Sequence, residues 1–107
     1  MYGYVGTMRT RPGSRADVVS VVLADVDELR AAGCESYVVS CSDTDDDLIW
    51  VFEVWHSKAQ HDASLQLPTV KAAISAAMPM LTGEFTGHEL TVAGGLGVSP
   101  LSKGTTS

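Results

Sequence analysis

The stretch LIWVFEVW, Leu48 to Trp55, constrains this chain more than any other. Its β-branched and aromatic residues fit a strand. Side chains alternate between the two faces of a strand. Leu48, Trp50, Phe52 and Val54 therefore share one face, while Ile49, Val51, Glu53 and Trp55 share the other. Both faces are largely apolar. A fold that covers only one of them leaves the other in water.

The surrounding sequence supplies one cover. YGYVGTMRT (Tyr2 to Thr10) is strand-like, and RPGSRAD is a turn with Ser14 as candidate N-cap. Val18, Val19, Val22, Leu23, Val26 and Leu29 recur at helical spacing, which predicts one amphipathic helix ending at Gly33. CESYVVSCS forms a hairpin with Leu48–Trp55 across the acidic turn Asp43 to Asp47. Ser57 and Gln60 fit a capping box. A short helix follows to about Leu65, and a second covers about Thr69 to Met78, between Pro68 and Pro79. Residues 83–93 read as a last strand. The order β-α-β-β-α-β predicts an α+β ferredoxin-like split βαβ domain over residues 1–93, with a Gly/Ser/Thr-rich tail at 94–107. Helices cover one face of such a sheet. A second subunit packed sheet against sheet would cover the other, so the expected assembly is a homodimer with a cavity near each sheet.

The formal charge is −6, from 13 acidic and 7 basic residues in 107. This argues against nucleic-acid and anionic-membrane partners, which need clustered Lys and Arg. The acidic turn lacks calcium-loop spacing and reads as solvated. No apolar run approaches a membrane span. Cys34 and Cys41 lie seven apart on one strand, hence on opposite faces and unpaired with each other. Without a signal peptide, the reducing cytoplasm is the expected location. GGLG in the tail is not a phosphate loop, because no Gly-Lys-Ser/Thr follows it.

EVWHSKAQH, Glu53 to His61, holds the chemically interesting side chains. Trp55 is either a cavity wall for a flat aromatic ligand, its indole N–H free for a polar atom, or ordinary packing. Pattern alone favours packing. Glu53, among apolar neighbours, is a buried proton acceptor, the partner of Arg9 or Arg11, or a residue at the open edge of the sheet; the residues alone favour pairing. His56 and His61 are five apart, which matches no zinc spacing. His56 reads as a surface residue, whereas His61 falls on the inward side of its helix. Tyr2, Tyr4 and Tyr37 read as packing residues.

These segments, with GYVGTMRTRPGSRADVVSVVLADV, GCESYVVS and DLIWVFEVWHSKAQHDASLQLPTVKAAI, resemble the antibiotic biosynthesis monooxygenase family, including its small quinol monooxygenases. The resemblance covers about Tyr2 to Val92 and is most specific from Ile49 to Ser64. It implies a ferredoxin-like subunit forming a dimeric α/β barrel. The implied activity is oxidation of a phenolic, hydroquinone or polyketide-like aromatic by O2 without flavin, haem or metal. The substrate's own anion gives an electron to O2. His61 would be the base or phenol partner, Trp55 the wall and donor, and Glu53 a secondary member. Ile49, Val51 and Ser64 would complete the substrate wall. The chain departs from the family in two places. It has no asparagine, where some members use an amide beside the tryptophan. Ser64 stands where quinol-oxidising relatives carry a histidine. Haem degradation, which uses that asparagine, is disfavoured. The alternative is a non-catalytic dimeric small-ligand-binding or stress-related module of the same fold.

Overall fold

The computed structural model describes residues 1–98. The chain runs β1 (Tyr2–Thr10), α1 (Arg15–Leu23), α2 (Val26–Ala31), β2 (Cys34–Cys41), β3 (Leu48–Trp55), α3 (Lys58–Ser64), α4 (Pro68–Ala77), a 3₁₀ turn (Met78–Met80) and β4 (Leu81–Thr91). The strands form one antiparallel sheet in the order β2-β3-β1-β4. This is the ferredoxin-like α+β fold, with β3 placed between β1 and β2.

The expected single first helix is two. Apolar spacing runs straight through Ala24 and Asp25, but Asp25 leaves helical geometry (φ −124°, ψ 39°) and its carbonyl starts α2 by accepting from Glu28 N–H. Asp favours helix starts over interiors. Ser14 does precede α1, yet its hydroxyl makes no cap bond; its carbonyl accepts from Val18 N–H instead. The Ser57 cap does form, with Oγ accepting from Gln60 N–H at 3.1 Å. Ser57 Oγ also donates to Gln60 Oε1 at 3.1 Å, in place of the reciprocal backbone bond of a full capping box. The Gln60 amide lies over Gly33 (φ +114°), where a Cβ would approach it to 2.8 Å. Glycine there both ends α2 and seats α3.

The acidic turn is tied down rather than merely solvated. Arg9 Nη2 pairs with Asp45 Oδ2 at 2.9 Å. Arg15 Nη1 donates to the carbonyls of Ser42 and Asp45, at 3.0 and 2.8 Å.

Helices cover one sheet face. Ile49, Val51 and Trp55 are buried there, with Val18, Ala77 and Leu81 above Ile49 and Val51. On the opposite face Trp50 and Phe52 remain 46% and 40% exposed, flanked by Val38 (51%) and Leu90 (43%). One end of this open face is crossed by the chain after β4. Val92 packs over Gly3, and Gly97 O accepts from Ser36 Oγ at 2.9 Å. Val54, in the same row of the sheet, is fully buried. The remainder of the expected tail, residues 99–107, lies outside the described residues.

The cysteines correct a parity argument. A β-bulge between Cys34 and Ser36 inserts one residue, so Cys34 opposes Trp55 and Cys41 opposes Ile49, both on the helix side. They sit at opposite ends of β2 and stay free thiols. No helix among the described residues is long and apolar enough to cross a membrane.

Candidate functional site

A cavity of about 200 Å³ lies between the sheet's helix side and helices α1 to α4. β3 supplies Glu53 and Trp55 to it, and β2 supplies Tyr37. α3 supplies His61 and Ser64, and α4 supplies Thr69 and Ile74 from above. An adjoining hollow of about 220 Å³ is lined only by apolar residues, Met8, Ile74, Met78 and Phe85 among them. Cavities near 150 Å³ admit benzene.

Of the six residues singled out in the sequence, Glu53, Trp55, His61 and Ser64 line this cavity. Val51 lines a neighbouring hollow under Tyr4 and Phe85. Ile49 does not reach the space: it is fully buried in the core beneath α1 and α4.

Glu53 meets neither Arg9 nor Arg11. Arg9 serves Asp45 and Glu84, and Arg11 Nε donates to Pro79 O. Its partner is Trp55, whose Nε1–H donates to Glu53 Oε1 at 2.9 Å. The indole donor expected to face a ligand is therefore already engaged. His61 Nε2 lies 4.0 Å from the same oxygen, beyond hydrogen-bond range. Burial raises the Glu53 pKa above the usual carboxylate range, opposed in part by the Trp55 bond and by His61.

His61 sits in an aromatic setting. Its ring lies 5.0 Å from Tyr2, 6.0 Å from Tyr4 in a stacked arrangement, and 5.5 Å from Trp55 edge-on. Nδ1 is 3.0 Å from Asp62 Oδ1. The Asp62 pKa is lowered by that bond and by Lys58, so Asp62 is an ionised acceptor. Nδ1 then donates to Asp62, and Nε2 lies on the Glu53 side of the ring. Lys58 extends the chain of contacts, reaching Asp62 at 3.2 Å and Glu89 at 3.1 Å. Tyr2 donates to Glu89 at 2.9 Å.

Sequence reading missed the tyrosines. Tyr37 lines the cavity, and burial, with Glu53 nearby, pushes its phenol up to about 12. At neutral pH it is a hydroxyl donor. Tyr4 lies over Gly6 and Gly87, and a Cβ at Gly87 would run into its phenol. Nothing in an alternating strand distinguishes such a tyrosine from packing. His56 pairs with Glu35 at 3.2 Å. His88 is opposite Val5, on the open face. Among the described residues no three His, Cys, Asp or Glu side chains are grouped to hold a metal ion.

The raised Glu53 pKa has a measurable consequence. In the window between the unfolded and folded values, the native state binds more protons, so stability falls as pH rises. Glu53→Gln removes this dependence. Its melting temperature, relative to wild type, is expected to rise from about pH 4.5 upward and to level off above the folded pKa. A difference independent of pH would show that burial does not govern this carboxyl.

The sequence profile of the antibiotic biosynthesis monooxygenase family matches residues 1–76. The fold is similar to the crystal structure of a Chloroflexus aurantiacus J-10-fl protein, provisionally described as an antibiotic biosynthesis monooxygenase. That similarity has 38% identity and a TM-score of 0.82, and it covers 92% of this chain and 98% of that one. A Caulobacter crescentus CB15 protein with the same provisional description shares the fold at 24% identity and a TM-score of 0.79, covering 87% and 90% of the two chains. No curated protein sequence matches the chain. With most of its length matched by the family profile, the chain belongs to the antibiotic biosynthesis monooxygenase family.

Proposed function

We propose that this protein is a cofactor-independent monooxygenase that oxidises a phenolic, hydroquinone or polyketide-like aromatic with O2. The observation that carries this reading is the convergence of His61, Glu53 and Trp55 on one cavity of aromatic-ring size. Family membership supports the reaction class.

In this reading the ring lies against the apolar wall, with its hydroxyl toward His61. Nε2 accepts the phenolic proton, while Asp62 holds the imidazole in the needed tautomer. The phenolate gives one electron to O2. The phenoxyl radical and superoxide combine at the ring carbon para to the oxygen. Loss of water from the resulting hydroperoxide leaves a quinone. That holds for a phenol with hydrogen at the para carbon, where one oxygen atom enters the ring and the other leaves as water; a hydroquinone, whose para carbon already bears oxygen, loses hydrogen peroxide instead. In both cases all electrons come from the substrate. Tyr37 donates a hydrogen bond to the developing oxygen anion. Trp55 acts on Glu53, holding its carboxylate, rather than on oxygen directly. Ser64 and Val51 border the ring.

The functional unit is a homodimer joined through the open face that carries Trp50 and Phe52. Large exposed apolar patches of this kind mark interaction surfaces.

The engaged indole N–H favours a second reading, a non-catalytic module that binds a small aromatic in the same cavity. O2 uptake separates the two. With a naphthohydroquinone, uptake above autoxidation is expected in wild type. Trp55→Phe removes the indole donor and leaves the buried Glu53 carboxyl without that partner, which should lower kcat/KM about 10- to 100-fold. No uptake above autoxidation across a quinol panel would leave only the binding module.

A further inference from the structure

Thr69 Oγ1 is the buried side-chain polar atom without a hydrogen-bond partner among the described residues. It belongs to the wall of the cavity that holds Glu53 and His61. A buried hydroxyl left unpaired is costly, and few are tolerated without a reason. Thr69 could have avoided the cost. It is the second residue of α4, immediately after Pro68, in the first turn where helix residues commonly bond their own backbone. Ser64, on the same wall, does so: its Oγ donates to His61 O at 2.6 Å. Thr69 does not. Its position is also distinct from the other polar groups. Glu53 and Tyr37 rise from the sheet, and His61 comes from α3, whereas Thr69 descends from α4. A ring with one oxygen satisfies only the sheet and α3 side.

We propose that Thr69 is a specificity residue for a second oxygen on the bound aromatic, so that the cavity selects dioxygenated rings over mono-oxygenated ones. This rests on the reading of the cavity as an aromatic site. The hydroxyl donates to a quinone carbonyl or accepts from a hydroquinone O–H, and so serves the ring before and after oxidation. Val70 and Ile74, on the same helix, supply only apolar contact to the cavity.

The test is anaerobic binding, followed by tryptophan fluorescence, of 1-naphthol and 1,4-dihydroxynaphthalene. Wild type is expected to bind the diol about fivefold more tightly. Thr69→Val keeps the shape and removes the hydroxyl. It should bind both ligands alike, at the wild-type affinity for 1-naphthol. Thr69→Ser should restore the preference. The unliganded Thr69→Val protein should also melt at a higher temperature, since a buried unpaired hydroxyl has been replaced by a methyl group. Equal weakening of both ligands would overturn the proposal by assigning Thr69 to packing. Unchanged diol preference in Thr69→Val would overturn it too, as would an absence of diol preference in wild type. O2 uptake is scored separately. Selective binding without uptake sinks the monooxygenase reading and leaves this inference standing. Uptake without selective binding does the reverse.

Discussion

His61→Ala is expected to lower the rate of O2 uptake with a naphthohydroquinone by about 10²- to 10⁴-fold, the usual contribution of a positioned general base. The ring is held by Asp62 at Nδ1, by Tyr4 stacked on it, by Tyr2 tilted against it and by Trp55 edge-on. That leaves Nε2 as the one ring atom able to accept a proton from a ligand. Alanine also removes packing, so part of any loss could come from a loosened site. His61→Gln controls for this by keeping bulk and a polar end without a basic ring nitrogen. Both variants should bind 1-naphthol anaerobically and both should be slow. A folded His61→Ala that turns over at the wild-type rate would exclude the imidazole as base. If His61→Gln alone recovered the rate, the role of His61 would be hydrogen bonding rather than proton transfer. Asp62→Asn should cost less than either, because Asp62 is half-exposed and acts only through the ring tautomer.

Phe52→Asp should convert the protein from dimer to monomer at micromolar concentration, read by sedimentation or light scattering. Phe52 sits near the middle of β3, an interior strand, on the face without helices. In a separate subunit an aspartate there is still wetted by solvent. The subunit fold should therefore lose little, and far-ultraviolet circular dichroism should be unchanged. In a sheet-to-sheet dimer the same carboxylate would be buried without a partner. Leaving one charge unpaired in an interface typically costs about 3–5 kcal/mol, which raises Kd by more than 100-fold. Trp50→Asp should act in the same direction. A Phe52→Asp protein that stays dimeric would move the interface elsewhere, and a monomeric wild type would remove the dimer from the proposal.

The fold was more legible than the site, for a physical reason. β3 was readable to its ends because apolar alternation and the acidic turn before it are local signals. The conflict of its two apolar faces was also readable, and the exposed Trp50 and Phe52 are its structural counterpart. The α1–α2 break was not, since a periodic apolar stripe is indifferent to one residue leaving the helix. In the site, Trp55 and His61 could be placed near one another from their spacing across a capped helix start. The bond between Trp55 and Glu53 could not, because two residues two apart on a strand share a face whether or not they touch. Ile49 was expected at the substrate wall from the family resemblance. Depth under α1 and α4, rather than face, removes it. Thr69 carried no signal in sequence at all. A threonine after proline at a helix start is ordinary, and only burial shows that its hydroxyl is unspent.

The extra residue in β2 behaves like an inserted letter in a reading frame. Counting from Cys34 on the helix side, strict alternation would place Tyr37 on the open face and Val38 over the cavity. The bulge before Ser36 shifts the count, so Tyr37 opposes Glu53 and Val38 opposes Phe52. Chemical character at the two surfaces is thus written in chain spacing as well as in residue identity. If β2 kept every residue but paired without the bulge, a phenol would leave the cavity for the apolar open face and an isopropyl group would take its place inside. Deleting the inserted residue would instead leave Tyr37 inside, so what the bulge achieves is to keep Cys34 and Tyr37 on one side with two residues between them.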